Sequence, residues 1–377
     1  MNVALSSPTA PTSGNRLVLG FEPTEGRDTR PHLVCEIPPA ISAHVESAHL
    51  HTLRWAIEIG LVHDEGPKFN RFRAARFTWL AARAYPTVSA KQLDLISDWI
   101  TFLFFYDDMC DTQEATDPSY LDRLVTAEDR LIEIGHGAAL RDGDTPLDCS
   151  LANIRDRAAA FADQAWLERL GGHVQEYIEG CRWERIIRLQ GQVPSMATYA
   201  KLRLLISAVF PCFDFAGMCI DGERRVVADN VLVQQLEVMA NNYICWVNDI
   251  YGVDKEIGEN TTSNLVIVLA HQFGLDWDTA IDRAIEMCNA ELEAFLALER
   301  QMGQLANRDC RSYIDALKAW MRGNLDWYSE TKRYGIEDGE APACWSTWTR
   351  WTAIAYEPVD QSSPSPSPSQ SSPSQSS

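Results

Sequence analysis

The chain has 377 residues, of which 46% are hydrophobic and 23% are charged, so it has enough apolar material for a large buried core. Its formal charge of -20 argues against nucleic acid or an anionic membrane as the main partner, because binding to phosphates normally needs a basic surface. A phosphorylated small molecule is still a plausible partner if a divalent metal ion supplies the positive charge. The ten cysteines stand singly without a CxxC pair, which predicts reduced thiols in a cytoplasmic setting.

Three regions of the chain differ in composition. Residues 1 to 30 are rich in Ser, Thr, Pro and Gly, and residues 359 to 377 in Ser, Pro and Gln, so both are predicted to be disordered tails. Residues 31 to 358 carry apolar side chains at three- and four-residue spacing, which predicts one all-α domain without strands. No run of about 18 apolar residues is apparent, so we expect no membrane span. The predicted helices lie at about 43–61, 69–84, 90–110, 118–137, 149–170, 172–190, 195–220, 226–256, 276–303 and 308–333.

The third predicted helix ends in the segment FFYDDMCD, in which aspartates directly follow an aromatic run. Asp107 and Asp111 lie one turn apart on one helix face, with Asp108 beside them. Neighbouring carboxylates repel each other, so a cation should compensate them, and their hard oxygen ligands suit Mg²⁺ or Mn²⁺. By itself the segment is more typical of a solvated helix end. Cys110 is a poor Mg²⁺ ligand and is expected to face the core.

A second polar segment, NDIYGVDKE at residues 248 to 256, lies on the predicted helix 226–256. Asn248, Gly252 and Glu256 are spaced at i, i+4 and i+8, so they form one line along the helix. Glycine inside a helix costs roughly 1 kcal/mol relative to alanine, which suggests that a metal-bound water or a ligand approaches the backbone there. An exposed helix with merely solubilising charges, Asp249 among them, is an equally good interpretation of this segment alone.

The two segments together resemble the paired metal-binding motifs of class I terpene synthases, the ionisation-initiated terpene cyclases. Further segments resemble bacterial members of that family in the same order: AARAYP at 81–86, YAKLRLLISAVFP at 199–211 and WMRGNLDWYSETKRY at 320–334. The resemblance covers about residues 31 to 356. It implies an all-α helical bundle around a deep apolar pocket, in which a linear prenyl diphosphate is ionised and cyclised with release of diphosphate. No DxDD motif, which would indicate protonation-initiated cyclisation, is present.

The resemblance also implies a set of metal ligands. Asp107 would bind two of three Mg²⁺ ions, with Asp108 and Asp111 assisting or hydrogen-bonding to a closing arginine, and Mn²⁺ could substitute for Mg²⁺. Asn248, the position of Gly252 and Glu256 would hold the third ion. Because the family usually has Ser or Thr where this chain has Gly252, we expect water to fill that ligand position.

Substrate-binding residues are implied in the same way. Four side chains would donate hydrogen bonds to the diphosphate: Arg203, Lys255, Arg333 and Tyr334. A backbone carbonyl within residues 207 to 209 would face the ionising carbon. Aromatic faces stabilise cationic carbons, and Phe104 and Trp327 are the favoured candidates among Phe104, Phe105, Phe210, Phe213, Trp246, Trp320 and Trp327. Plain core packing is the more common role of any one such aromatic residue.

Several alternatives stay open at the level of the sequence. Farnesyl diphosphate is slightly favoured as the substrate, and a diterpene synthase acting on geranylgeranyl diphosphate is an alternative. A chain-elongating prenyltransferase would carry a second aspartate-rich motif in place of NDIYGVDKE. A noncatalytic helical scaffold would need neither acidic motif, and a homodimer is a possible assembly. His44, His49 and His51 lack the ligand spacing of a zinc site.

Overall fold

The structure is a computed structural model that describes residues 33–110, 117–220, 230–258, 261–303 and 308–333. Both predicted tails lie outside these ranges. The described residues form helices joined by turns and contain no strand, which confirms the all-α prediction. The helices are α1 Val45–Ile59, α2 Pro67–Ala75, α3 Phe77–Ala84, α4 Ala90–Cys110, α5 Pro118–Gly135, α6 Pro146–Ala158, α7 Gln164–Leu189, α8 Met196–Leu205, α9 Val209–Met218, α10 Val231–Gly258, α11 Leu265–Phe273, α12 Trp277–Met302 and α13 Arg308–Tyr328.

Two predicted helices are each divided in the structure at a residue with left-handed backbone. The predicted helix 69–84 is α2 and α3, joined at Arg76 with φ 51° and ψ 44°. The predicted helix 195–220 is α8 and α9, joined through Ala208 with φ 53° and ψ 17°. Because left-handed backbone in residues other than glycine costs roughly 1–2 kcal/mol, tertiary contacts must hold both junctions in place.

Other helix boundaries also differ from the predictions. The predicted break near residue 171 is wrong: α7 begins earlier, where the Asp163 carboxylate accepts the Trp166 backbone N–H at 2.9 Å and caps the helix. Helix α11 was not predicted because its nine residues are almost all apolar and show no helical period. The last predicted helix, 308–333, ends at Tyr328.

Helix α10 lies at the centre of the bundle and packs against α12 and α13. Helix α13 in turn packs along α3, and α4 packs against α1, α3 and α6. The approach of α13 to α3 depends on Gly323, because a Cβ atom there would lie 2.7 Å from the backbone carbon of Arg83. This packing brings the end of α4, the middle of α10 and the end of α13 to one region of the molecule.

The segment Met196–Met218 is long and apolar enough, by length and composition, to cross a membrane. It is the one segment of the described residues that meets this criterion, which rests on length and composition alone. In the structure the segment is interrupted at Ile206–Ala208 and its two helices pack against α7 and α10. Apolar helices that pack against their neighbours in this way belong to the core of the fold.

The cysteines agree with the sequence prediction where they are described. All nine described cysteines are free thiols. Cys110 is buried as expected, and burial raises the pKa of its thiol above the ordinary value.

Candidate active site

One cavity is lined by residues of α3, α4, α7, α8, α9, α10 and α13 together with the α8–α9 junction. It contains about 1080 Å³ of space, part of which is open to solvent. Its apolar lining includes Leu80, Ile100, Leu103, Phe104, Ile206, Val209, Ile244, Trp320 and Trp327. Its polar lining includes Asp107, Glu184, Arg203, Asn248, Lys255 and Glu256. Residues of the two acidic segments, 141 positions apart in the sequence from Asp107 to Asn248, therefore face the same cavity.

The first acidic segment forms the last turn of α4, where Asp107 and Asp108 are substantially exposed. The Nη2 atom of Arg333 lies 2.9 Å from a carboxylate oxygen of Asp107 and also 2.9 Å from one of Asp108. The guanidinium also lies over the Phe104 ring, 4.6 Å from its centroid. A single arginine from the other end of the chain thus supplies the positive charge that the sequence predicted for this cluster. Asp111 and Tyr334 lie outside the described residues.

The second segment lies in the C-terminal half of α10. The Asn248 side chain is fixed on both sides: its Oδ1 accepts from Arg203 Nη2 at 2.8 Å, and its Nδ2 donates to the Tyr328 hydroxyl at 2.6 Å. Glu256 accepts from Asn264 Nδ2 at 3.0 Å. Burial, with the nearby charge of Asp249, raises the pKa of Glu256 well above its ordinary value. A bound cation would favour the ionised form of such a carboxylate.

Arg203 is held by a buried carboxylate within the second segment, that of Asp249. Its Nε and Nη2 atoms lie 2.9 and 2.8 Å from Asp249 Oδ1. The other oxygen, Oδ2, accepts from the Tyr199 hydroxyl and from the Leu265 backbone N–H at 2.7 Å. Burial opposes the charge of Arg203, but the combined attraction of Asp249 and the other acidic groups around it outweighs burial and raises the arginine's pKa well above its usual value. Asp249 is fully buried, so the interpretation of this residue as a solubilising charge is wrong.

The junction between α8 and α9 contributes backbone to the cavity. Ile206, Ser207, Ala208 and Val209 all line it. The Ser207 hydroxyl donates to the Leu204 carbonyl at 3.1 Å and accepts from the Val209 N–H at 3.2 Å, which stabilises the turn. The role of a carbonyl within residues 207 to 209 stays a prediction.

The aromatic candidates divide into two groups. Phe104, Trp320 and Trp327 line the cavity, and Phe104 stacks on Phe77 with ring centroids 4.1 Å apart. The other four pack in the core or against it: Phe105, Phe210, Phe213 and Trp246.

Some cavity residues were missed by the reasoning from sequence. Tyr328 lines the cavity, bonds to Asn248 and stacks on Tyr251 with centroids 4.4 Å apart. Its only signal in the sequence is its place next to Trp327 in the segment 320–334. Glu184 of α7 also lines the cavity, and burial raises its pKa although nearby arginines act in the opposite direction. No spacing within α7 distinguishes Glu184 from the exposed glutamates of that helix.

The donor chemistry around the cavity fits Mg²⁺. The available ligands are oxygen atoms of Asp107, Asp108, Asn248 and Glu256, the hard donors that this ion prefers. Among the described residues, no three His, Cys, Asp or Glu side chains lie close enough together to hold a metal ion unaided. Mg²⁺ commonly binds one or two carboxylates together with substrate phosphates and water, so a site completed by the substrate fits these residues.

Comparison with known proteins assigns the chain to a family. A family model described as "Terpene synthase family 2, C-terminal metal binding" matches residues 98–294. The (+)-T-muurolol synthase ((2E,6E)-farnesyl diphosphate cyclizing) of Roseiflexus castenholzii is 35% identical over 312 residues, covering 82% of this chain and 94% of that protein. The chain belongs to the terpene synthase family. The 10-epi-cubebol synthase of Sorangium cellulosum is 30% identical to this terpene synthase, over 81% of the chain and 98% of that protein.

Solved structures support the same fold. The linalool/nerolidol synthase from Streptomyces clavuligerus superimposes with a TM-score of 0.70 at 22% identity, covering 78% of this chain and all of that one. An a-eudesmol synthase gives a TM-score of 0.69 at 22% identity, with 78% and 98% covered. The predicted all-α class I terpene synthase fold is therefore confirmed. As a terpene synthase with a metal-binding domain, the chain is a lyase acting on a diphosphate ester, as predicted.

Proposed function

We propose that this terpene synthase ionises (2E,6E)-farnesyl diphosphate in the presence of Mg²⁺ and cyclises it to a sesquiterpene with release of diphosphate. The observation that carries the proposal is the cavity itself, in which the oxygen ligands of two distant segments face the same space as an apolar and aromatic lining. The name of the (+)-T-muurolol synthase, which refers to cyclisation of this substrate, supports the choice of farnesyl diphosphate.

Asp107, Asp108, Asn248 and Glu256 would hold the metal ions, with Asp111 as a further ligand and the position of Gly252 filled by water. Three Mg²⁺ ions would be expected by the resemblance. When bound, Mg²⁺ would stabilise the negative charge on the departing diphosphate.

The protein's own cations would bind the same diphosphate. Arg203, Lys255 and Arg333 would donate charge-assisted hydrogen bonds to its oxygens, and Tyr334 is expected to add another. Arg203 is already fixed, since Asp249, which is not a proposed metal ligand, holds it. Donors held in place before the reaction stabilise developing charge without reorganisation, which is often the largest catalytic contribution.

The apolar lining would then control the fate of the carbocation. Leu103, Ile244 and the aromatic residues exclude water from the reacting chain. Phe104, Trp320 and Trp327 can each stabilise a nearby cationic carbon by about 0.5–2 kcal/mol. The shape of this lining would select the ring closure.

The test combines variants with a substrate series. Asp107→Asn and Asn248→Ala should each lower turnover of farnesyl diphosphate by on the order of 10³ or more, because each removes charge stabilisation at the leaving group. Circular dichroism should show unchanged helix content. Asp122→Asn, on the exposed face of α5, is the matched control and should behave as wild type. Near-normal turnover in either site variant would contradict the site assignment.

The substrate series uses C10, C15 and C20 diphosphates with Mg²⁺, followed by gas chromatography of a hexane extract. Cyclic C15 products are expected. Turnover of the C20 substrate alone would indicate a diterpene synthase, and elongated products would indicate a prenyltransferase. Failure to bind inorganic pyrophosphate with Mg²⁺ in calorimetry would indicate a scaffold.

Two further predictions belong to this proposal. Free thiols at all nine described cysteines support a reducing, cytoplasmic setting. Homodimerisation stays a prediction, which sedimentation equilibrium would test.

A further inference from the structure

We infer that Thr331 and Arg83 are positioning residues for Arg333: they fix the segment that follows α13 onto α3 and the α2–α3 junction, so that Arg333 reaches Asp107 and Asp108. The inference rests on the proposed function in one respect, which is that Arg333 binds the diphosphate. AARAYP, the sequence segment that contains Arg83, has no role in the site described above.

The α2–α3 junction offers hydrogen-bond acceptors because a helix ends there. The last carbonyls of a helix have no donor within that helix. Helix α2 ends at Ala75, and the left-handed Arg76 turns the chain into α3. Trp327 Nε1 donates to the carbonyls of Ala75 and Arg76, at 3.2 and 3.1 Å. The end of α13 is therefore bound to the backbone carbonyls at the C-terminal end of α2.

Beyond α13, the chain continues along the same acceptors. The Lys332 backbone N–H donates to the Ala74 carbonyl at 3.2 Å. The Thr331 hydroxyl donates to the Ala75 carbonyl at 2.8 Å and accepts from the Arg333 backbone N–H at 3.1 Å. A single hydroxyl thus connects the helix junction directly to the backbone of Arg333.

Arg83 holds the same segment from α3. Its Nε and Nη2 atoms donate to the two carboxylate oxygens of Glu330 at 2.9 and 2.6 Å, and Nη1 lies 3.3 Å from Asp326 Oδ2. This bidentate geometry fixes both the direction and the length of the contact between Arg83 and Glu330, which a single hydrogen bond does not. The Arg83 and Glu330 side chains are only 17% and 23% exposed, so solvent screening is limited.

The consequence is a defined position for the Arg333 guanidinium. Four residues, 329 to 332, separate the last helical residue, Tyr328, from Arg333. Without the bonds of Thr331 and Glu330, this short segment would be free to move relative to α4. Displacement of a reacting or binding group by about 1 Å can cost on the order of 10²-fold in rate. Loss of either contact should therefore weaken diphosphate binding and turnover through Arg333.

The experiment compares Thr331→Val and Thr331→Ser in the full-length enzyme, each with and without Arg333→Ala. Steady-state turnover of farnesyl diphosphate and calorimetric binding of inorganic pyrophosphate with Mg²⁺ are the readouts. Thr331→Val should lower kcat/KM by about tenfold, the effect of removing one or two hydrogen bonds, and Thr331→Ser should restore most of it. In the Arg333→Ala background, Thr331→Val should have no further effect. Such non-additivity is the signature of a residue that acts through another.

Glu330→Gln serves as a second variant in case Thr331→Val fails to fold, and it should show the same dependence on Arg333. Arg283→Gln, which breaks an exposed ion pair with Glu286 on α12, is the matched control and should leave kcat/KM and pyrophosphate binding unchanged. Equal losses from Thr331→Val in both backgrounds would overturn the inference, since the role would then be structural. If Thr331→Val and Glu330→Gln are fully active while Arg333→Ala is impaired, the inference about positioning is overturned but the proposed role of Arg333 is not. Full activity of Arg333→Ala would overturn it together with the proposed role of Arg333.

Discussion

Replacement of Asp249 by asparagine should destabilise the fold strongly although Asp249 is not among the proposed metal ligands. Asp249 is fully buried, and its two oxygens accept from Arg203, Tyr199 and the Leu265 backbone N–H. Asparagine keeps the shape of the side chain but offers one acceptor oxygen in place of two and carries no charge. The buried guanidinium of Arg203 would then lack its counter-ion.

The size of the effect follows from the burial of this pair. Removing one partner of a buried ion pair typically costs 3–5 kcal/mol, because the remaining charge stays desolvated. An unfolding entropy of about 2.1 cal/mol/K per residue, over roughly 300 ordered residues, converts this loss into a decrease in Tm of about 5–8 °C. An exposed pair should lose no more than about 0.5 kcal/mol, or less than 1 °C.

Thermal unfolding followed by circular dichroism measures this difference. The matched control is Glu286→Gln, which also removes a carboxylate from an arginine, since Arg283 Nη1 lies 2.9 Å from Glu286 Oε2 and both side chains are more than half exposed. We expect Asp249→Asn to melt at least 4 °C below Glu286→Gln. If the two variants melt within 1 °C of each other, the reasoning about the buried pair is refuted.

Three further predictions concern Gly252, His51 and the metal. Gly252→Ser restores the ligand type usual in the family, so activity at limiting Mg²⁺ should rise, and an unchanged Mg²⁺ titration would speak against water as the substitute ligand. The hydrogen bond to Asp98 raises the pKa of His51 above 6.5, so its stabilising contribution is present below that pH and is lost as the pH rises through the raised pKa. The Tm advantage of wild type over His51→Gln should therefore shrink above pH 6.5, and a constant advantage would contradict this assignment. Treatment with EDTA should abolish turnover but change Tm by less than about 2 °C, because Arg333 already compensates Asp107 and Asp108 without a metal ion, and global unfolding would contradict that interpretation.

The sequence predicted the long amphipathic helices well and the junctions poorly. Helix α4 spans residues 90 to 110 as predicted, and α12 differs by one residue at each end. The junction at Arg76 contains neither glycine nor proline, so no local signal marks it. Arg76 is held where it is by bonds from Trp327, more than 250 residues away. Such a junction depends on tertiary structure, which propensity cannot show.

The site residues divide in the same way, into those that sequence spacing predicts and those that only tertiary contacts bring together. Helical spacing predicts that Asn248 and Glu256 lie on one line of α10, and the adjacent carboxylates of Asp107 and Asp108 are visible directly as a sequence motif. The contacts of Asp249 and Tyr328 could not be read, since they join residues 16 to 80 positions apart. Only the packing of α8, α10 and α13 determines that these side chains meet.

The acidic end of α4 illustrates how charge compensation connects the fold to the chemistry. Two exposed aspartates side by side would repel each other, and the structure pairs both with Arg333 across 226 residues of sequence. Arg203 is paired in the same way with Asp249 within the second segment. These two proposed diphosphate donors, Arg203 and Arg333, are therefore each held by a carboxylate in or next to a proposed metal site. A metal ion arriving at Asp107 would compete with Arg333 for the same oxygens, and the diphosphate would offer the released guanidinium new acceptors. Metal binding and substrate binding should thus favour each other. The metal ion binds the carboxylate that Arg333 leaves, and the diphosphate binds the guanidinium that the metal ion displaces.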